Sequence, residues 1–97
     1  MMVLVTYDVR TETKEGRRRL RRVAKACENR GQRVQKSVFE CPNLTEEQFV
    51  KLRHRLEDCM DHTEDSIRFY PVCRRCLQGV EYSGIGDPPV KGDFSVV

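Results

Sequence analysis

The sequence predicts a small α+β domain, and three observations lead there. Two stretches carry apolar residues at helical spacing, and runs rich in β-branched and aromatic residues flank them. Their order is strand-helix-strand, strand-helix-strand, with a short hairpin at the centre. That βαββαβ rhythm is the pattern of a ferredoxin-like sandwich, four antiparallel strands with two helices on one face. The third observation is size: 97 residues, 38% hydrophobic and without Trp, make one domain with a thin core. We expect the domain to cover residues 1–83 and a tail to cover 84–97. A thin core and a bare sheet face together predict a homodimer.

The first strand runs from about Met2 to Val9 and reads as a central strand, apolar on both faces until Asp8. Alternation sends Val3, Val5, Tyr7 and Val9 to one side and Leu4, Thr6 and Asp8 to the other. A polar loop, Arg10 to Gly16, leads to a helix over Arg17 to Asn29. Leu20, Val23, Ala24 and Cys27 form its apolar stripe, the arginines and Lys25 lie off it, and Gly31 is the stop signal. Gln32 to Cys41 reads as two short strands with a tight turn near Gln35-Lys36. Thr45-Glu46-Glu47-Gln48 is a capping box that opens a second helix, with Phe49, Leu52, Leu56, Cys59 and Met60 on one face and an end near Asp61-His62. Ser66 to Val72 is the next strand, with Ile67, Phe69 and Val72 on or near its buried side. A further strand over Gly79 to Ser83 and an extra C-terminal strand, Phe94-Ser95-Val96-Val97, complete the expected elements.

Net charge is only +3, but its distribution is uneven. Between Lys14 and Lys36 ten basic residues face two acidic ones, a net +8 that leaves −5 for the remainder. A basic surface of this kind meets a polyanion, most often nucleic acid; the plainer reading is a solvated helix face. No apolar run is long enough to span a membrane and no signal-peptide layout opens the chain, so a cytoplasmic protein is expected. Five cysteines, an odd number, argue against a disulfide framework. Cys73-Arg-Arg-Cys76 has ligand spacing, and it reads as half a zinc site, a redox dithiol, or plain loop or strand cysteines. A metallochaperone would carry such a pair after the first strand, whereas here it follows the fourth.

An acid at the end of a buried strand either caps the following turn or serves a metal or phosphate site. Here three features resemble the Cas-two family, the small CRISPR-associated adaptation proteins. They are Thr6-Tyr7-Asp8 closing the first strand, the arginine-rich helix to Cys27, and the run Gly31-Gln32-Arg33-Val34-Gln35-Lys36-Ser37-Val38-Phe39-Glu40-Cys41. The segments Ser37 to Cys41 and Arg22 to Cys27 look most like the subtype I-C members. The likeness is strong to Cys41, acceptable to Val72 and poor from Cys73 onward.

The resemblance implies a two-fold homodimer and a magnesium- or manganese-dependent endonuclease acting on RNA or double-stranded DNA. Asp8 matches the family's catalytic, metal-holding aspartate. Tyr7, Ser37 and Phe39 match its supporting residues, and Arg33 its basic residue before the hairpin. The family also bridges two dimers of the CRISPR integrase across a captured DNA fragment. From the charge pattern, Arg18, Arg21, Arg22, Lys25 and Arg33 are the nucleic-acid-binding candidates. One carboxylate is too little for a well-held Mg²⁺, so Asp8 and its counterpart in a second copy would share one cation. Alternation sends Tyr7 away from Asp8, toward the core. His54 and His62 are poor candidates for a general base, and Glu40 joins Asp8 only if the hairpin brings it there. The alternative is a DNA-binding scaffold with no catalysis.

Overall fold

The computed structural model describes residues 1–86, in the order β1 (Met2–Asp8), α1 (Lys14–Glu28), β2 (Gln32–Gln35), β3 (Val38–Cys41), α2 (Glu46–Cys59), β4 (Ser66–Val72) and α3 (Arg74–Gln78). The strands form one antiparallel sheet in the order β2-β3-β1-β4. The α+β class expected from the sequence is the class observed. β1 pairs with β3 from Val3↔Cys41 to Thr6↔Val38, and with β4 along its whole length, from Met2↔Val72 to Asp8↔Ser66. Side chains alternate across it. Val3, Val5, Tyr7 and Val9 are buried with Phe39 and Cys41 against Val23, Ala26 and Cys27 of α1 and Leu52 and Leu56 of α2. Each such aliphatic side chain contributes about 1.5–3 kcal/mol on burial. Among the described residues β1 is covered on one side only: Leu4 and Thr6 are half-buried and Asp8 is exposed.

Helix α1 starts three residues earlier than its apolar stripe suggested. Thr13 is the N-cap, its Oγ1 accepting the Gly16 N–H at 3.0 Å. Gly16 looked like loop, yet a Cβ there would lie 1.9 Å from the Arg10 carbonyl oxygen, so close packing requires the glycine. Gly31 has the same role, since a Cβ would stand 2.2 Å from the Glu40 carbonyl oxygen. The hairpin turn falls at Lys36-Ser37, one residue beyond the expected place, and a register shift interrupts β2 between Arg33 and Gln35. Thr45 and Gln48 form the capping box, Gln48 N–H to Thr45 Oγ1 at 3.1 Å and Thr45 N–H to Gln48 Oε1 at 3.0 Å.

Three expectations are corrected. Val72 lies opposite Met2, on the other face of β4 from Ile67 and Phe69, because period-two alternation forbids all three on one side. α2 ends at Cys59, where Asp61 begins a turn by accepting from Thr63. No strand forms over 79–83: Cys73 caps the short α3, and the following residues lie in a cleft with Gln32, Val34 and Glu40 without joining the sheet. The expected strand at 94–97 lies outside the described residues. No helix among those described is long and apolar enough to cross a membrane.

One carboxylate ties the loops at this end of the sheet together. The Asp65 side chain is fully buried and accepts four hydrogen bonds: Arg19 Nε at 2.7 Å, Arg19 Nη2 at 3.3 Å, and the backbone N–H groups of Asp61 at 2.9 Å and Arg10 at 3.1 Å. Burial works against its ionisation, but the Arg19 guanidinium and the two N–H groups outweigh it and hold the carboxyl below its usual range. The loop after β1, helix α1 and the loop before β4 are thereby fixed to one another. Asp65→Ala leaves these donors without an acceptor, and we expect it to lower stability by about 3 kcal/mol at neutral pH. A depressed carboxyl stabilises above its unfolded pKa of about 3.9 and loses that contribution as pH falls through the lower folded value. Urea unfolding from neutrality to about pH 2 should therefore show the gap between wild type and variant closing in acid.

Candidate functional site

Asp8 ends β1 with its side chain on the uncovered face, paired in register with Ser66. A shallow cleft of about 240 Å³ surrounds it, lined by Thr6, Tyr7, Asp8, Ser66 and Arg68. Arg68 lies opposite Thr6 on the same face, diagonal to Asp8, with Tyr70 two positions along the same face of β4. The hairpin turn meets the same edge: the Ser37 carbonyl accepts the Tyr7 N–H at 3.1 Å. Ser37 thus fastens the turn beside Asp8 through its backbone. Glu40 shares the open face but pairs with Leu4, four residues from Asp8 and so about 13 Å along the strand. Burial pushes its carboxyl up, and it does not join Asp8.

Tyr7 and Phe39 are interior residues. Their rings stack with centroids 6.2 Å apart, and the Arg33 guanidinium lies 5.1 Å above the Phe39 ring. Arg33 also sits 3.7 Å from the Glu28 carboxylate. Burial raises the Tyr7 hydroxyl, the Arg33 charge pulling more weakly the other way, so the phenol stays protonated at neutral pH. These side chains hold β1, β3 and α1 together on the face away from Asp8.

The basic candidates lie on that same helix side. Arg18, Arg21, Arg22 and Lys25 are all exposed on α1, and among the described residues none of them has an ion-pair partner. Arg10 and Arg19 are occupied instead, Arg10 with Glu12 and Glu64 and Arg19 with Asp65. Asp8 and the free cations therefore face opposite sides of the sheet. Arg68 and Ser66 escaped the sequence reading, although the alternation of β4 signals their face once its pairing with β1 is known.

No group of three or more acidic, Cys or His side chains suited to a metal occurs among the described residues. One chain supplies the single carboxylate of Asp8, with the Thr6 and Ser66 hydroxyls lining the same cleft. That donor set fits a hydrated Mg²⁺ or Mn²⁺ only as half a site.

A family profile described as "CRISPR associated protein Cas2" matches residues 1–80. This chain belongs to the Cas2 family. A Cas2 relative from Chlorobaculum tepidum, named "CRISPR-associated endoribonuclease Cas2", is 57% identical over 88 residues, 91% of each chain. The crystal structure of Streptococcus pyogenes Cas2 at pH 6.5 superposes with a TM-score of 0.74 at 56% identity, covering 87% of this chain and 100% of that one. A chain of a solved "Partial Cas6-RT-Cas1--Cas2 complex" shares the Cas2 fold, with a TM-score of 0.65 at 22% identity over 92% of this chain and 94% of that one. A nuclease name on the relative is what the sequence reading expected of the family. Tyr7, Phe39 and Arg33 hold β1, β3 and α1 together, which gives a test. Phe39→Ala should cost about 3–5 kcal/mol in urea unfolding. Phe39→Leu restores much of the apolar volume and should recover most of that loss.

Proposed function

We propose that this chain is a CRISPR adaptation protein that binds nucleic acid and cleaves RNA or double-stranded DNA at Asp8 with Mg²⁺ or Mn²⁺. The supporting observation is the position of Asp8, an exposed carboxylate beside Ser66 and Arg68 on a sheet face that α1 and α2 leave open. In this reading the fold is a ferredoxin-like sandwich of the subtype I-C kind, acting in the cytoplasm. It pairs through the open face as a homodimer, so that two copies each contribute one Asp8. The shared cation would neutralise charge that develops on the phosphate. Arg68 donates to the phosphate oxygens, and Ser66 and Thr6 supply hydroxyls to the water around the site. The Tyr7 and Phe39 rings, locked by Arg33, keep β1 rigid beneath it.

A second role rests on a different observation, the unpaired cations of α1. Arg18, Arg21, Arg22 and Lys25 contact the nucleic-acid backbone without reading sequence, and Arg33 extends the strip toward the hairpin. That surface suits a subunit that bridges two integrase dimers on a DNA fragment, with the Cas1 integrase as partner. It operates whether or not Asp8 cuts, so the purely structural scaffold remains its limiting case.

Asp8→Asn should reduce cleavage of single-stranded RNA or duplex DNA by about a hundredfold in Mg²⁺ or Mn²⁺, with the urea midpoint unchanged because the residue is exposed. Cleavage that persists in the variant would place the chemistry elsewhere. Changing Arg18 and Arg22 together to Ala should weaken binding and flatten the dependence of log K on log salt, by about 1.4 for a single strand and about 1.8 for a duplex. An unchanged slope would assign these arginines to solvation alone.

A further inference from the structure

The pair Cys73 and Cys76 has no part in either role. Cys73 is the N-cap of α3, and its Sγ accepts the Cys76 backbone N–H at 3.3 Å. Hydrogen bonding to Cys76 lowers the Cys73 thiol's pKa and Cys73 raises that of Cys76, so the two groups influence each other across one turn. A disulfide needs Cβ atoms roughly 3.5–4.5 Å apart, and residues three positions apart on a helical turn have Cβ atoms about 5–6 Å apart, so closing the bond draws the two side chains together by about 1–2 Å. Both thiols are free and exposed, whereas Cys27 and Cys41 are buried and Cys59 is half-buried. Burial pushes the Cys27 and Cys41 thiols up to about 12 and about 11, and they stay inert at neutral pH. Among the described residues no third Cys, His, Asp or Glu joins the pair in a metal-binding group.

We propose that Cys73 and Cys76 form a redox-active dithiol that exchanges with low-molecular-weight disulfides, Cys73 attacking and Cys76 resolving. The Cys73 thiolate bonds to one sulfur of the small disulfide and expels the other half as a thiolate. Cys76 then attacks the Cys73 sulfur, closes the intramolecular bond and gives up its proton to the second departing thiolate. The protein loses two electrons and two protons, and the small disulfide becomes two thiols. The division of labour follows the hydrogen bonds. The Cys76 backbone N–H donates to the Cys73 sulfur and lowers its pKa, while the neighbouring Cys73 raises that of Cys76. The bond would close at the junction of β4 with residues 80–86, which lie against β2 and Glu40.

Oxidised glutathione added to the folded full-length protein should yield a monomer lacking two hydrogen atoms, with the bond mapped to Cys73–Cys76 by mass spectrometry. Cys27 and Cys41 should then alkylate only after unfolding. Cys76→Ser should stop at a Cys73–glutathione mixed disulfide. Cys73→Ser, which keeps a hydroxyl cap for α3, should react about tenfold more slowly at Cys76. A stable mixed disulfide in the unaltered protein, or bonds formed only between chains, would overturn the proposal. So would a tightly held Zn²⁺ shared by two chains that blocks oxidation until it is chelated.

Discussion

Strand β1 hydrogen-bonds to a neighbour on each edge, and its side chains must alternate across the sheet that results. Most of the molecule follows from those two facts. One set of residues, Val3, Val5, Tyr7 and Val9, receives both long helices and becomes the core. The other ends in Asp8, which the same geometry carries to the open face. A shift of one residue in either pairing would bury the carboxylate and expose Tyr7. The register is held from both sides: the Ser37 carbonyl binds the Tyr7 N–H, and Ser66 pairs opposite Asp8.

The sheet also separates two kinds of chemistry. In the cleft on one side lies a carboxylate with hydroxyls and a single arginine; on the other, α1 carries six cations without ion-pair partners among the described residues, Arg18, Arg21, Arg22 and Lys25 among them. The remaining cations discussed have structural work. Arg19 is consumed by Asp65, whereas Arg33 rests on the Phe39 ring beside Glu28 with about half of its side chain, 48%, still exposed. A high arginine count therefore overstates the binding surface, and the position of each guanidinium decides its role.

Local signals in the sequence were legible. The Thr45–Gln48 capping box, the stripe of α1 and the inward direction of Tyr7 depend on residues a few positions apart, and each is found where its spacing points. Long-range contacts were not. Gly16 reads as loop until the Arg10 carbonyl is seen against it, and no local pattern singles out Asp65, whose partner Arg19 lies 46 positions away. Val80 and Tyr82 have strand-forming side chains, but the sheet offers them no ladder. For the site, the exposure of Asp8 and of the α1 cations was readable. The company of Arg68 was not, because it depends on how β4 pairs with β1.

The two outer strands of the sheet have a bearing on how copies of this chain meet. β2 is four residues long and broken by a register shift, and Pro71 of β4 lacks an N–H to offer outward. Proline is tolerated there because, among the described residues, β4 pairs on one side only. Neither margin presents the long, regular row of donors and acceptors that lets sheets zip into open-ended fibrils. A sheet with margins of this kind resists open-ended growth from its rim.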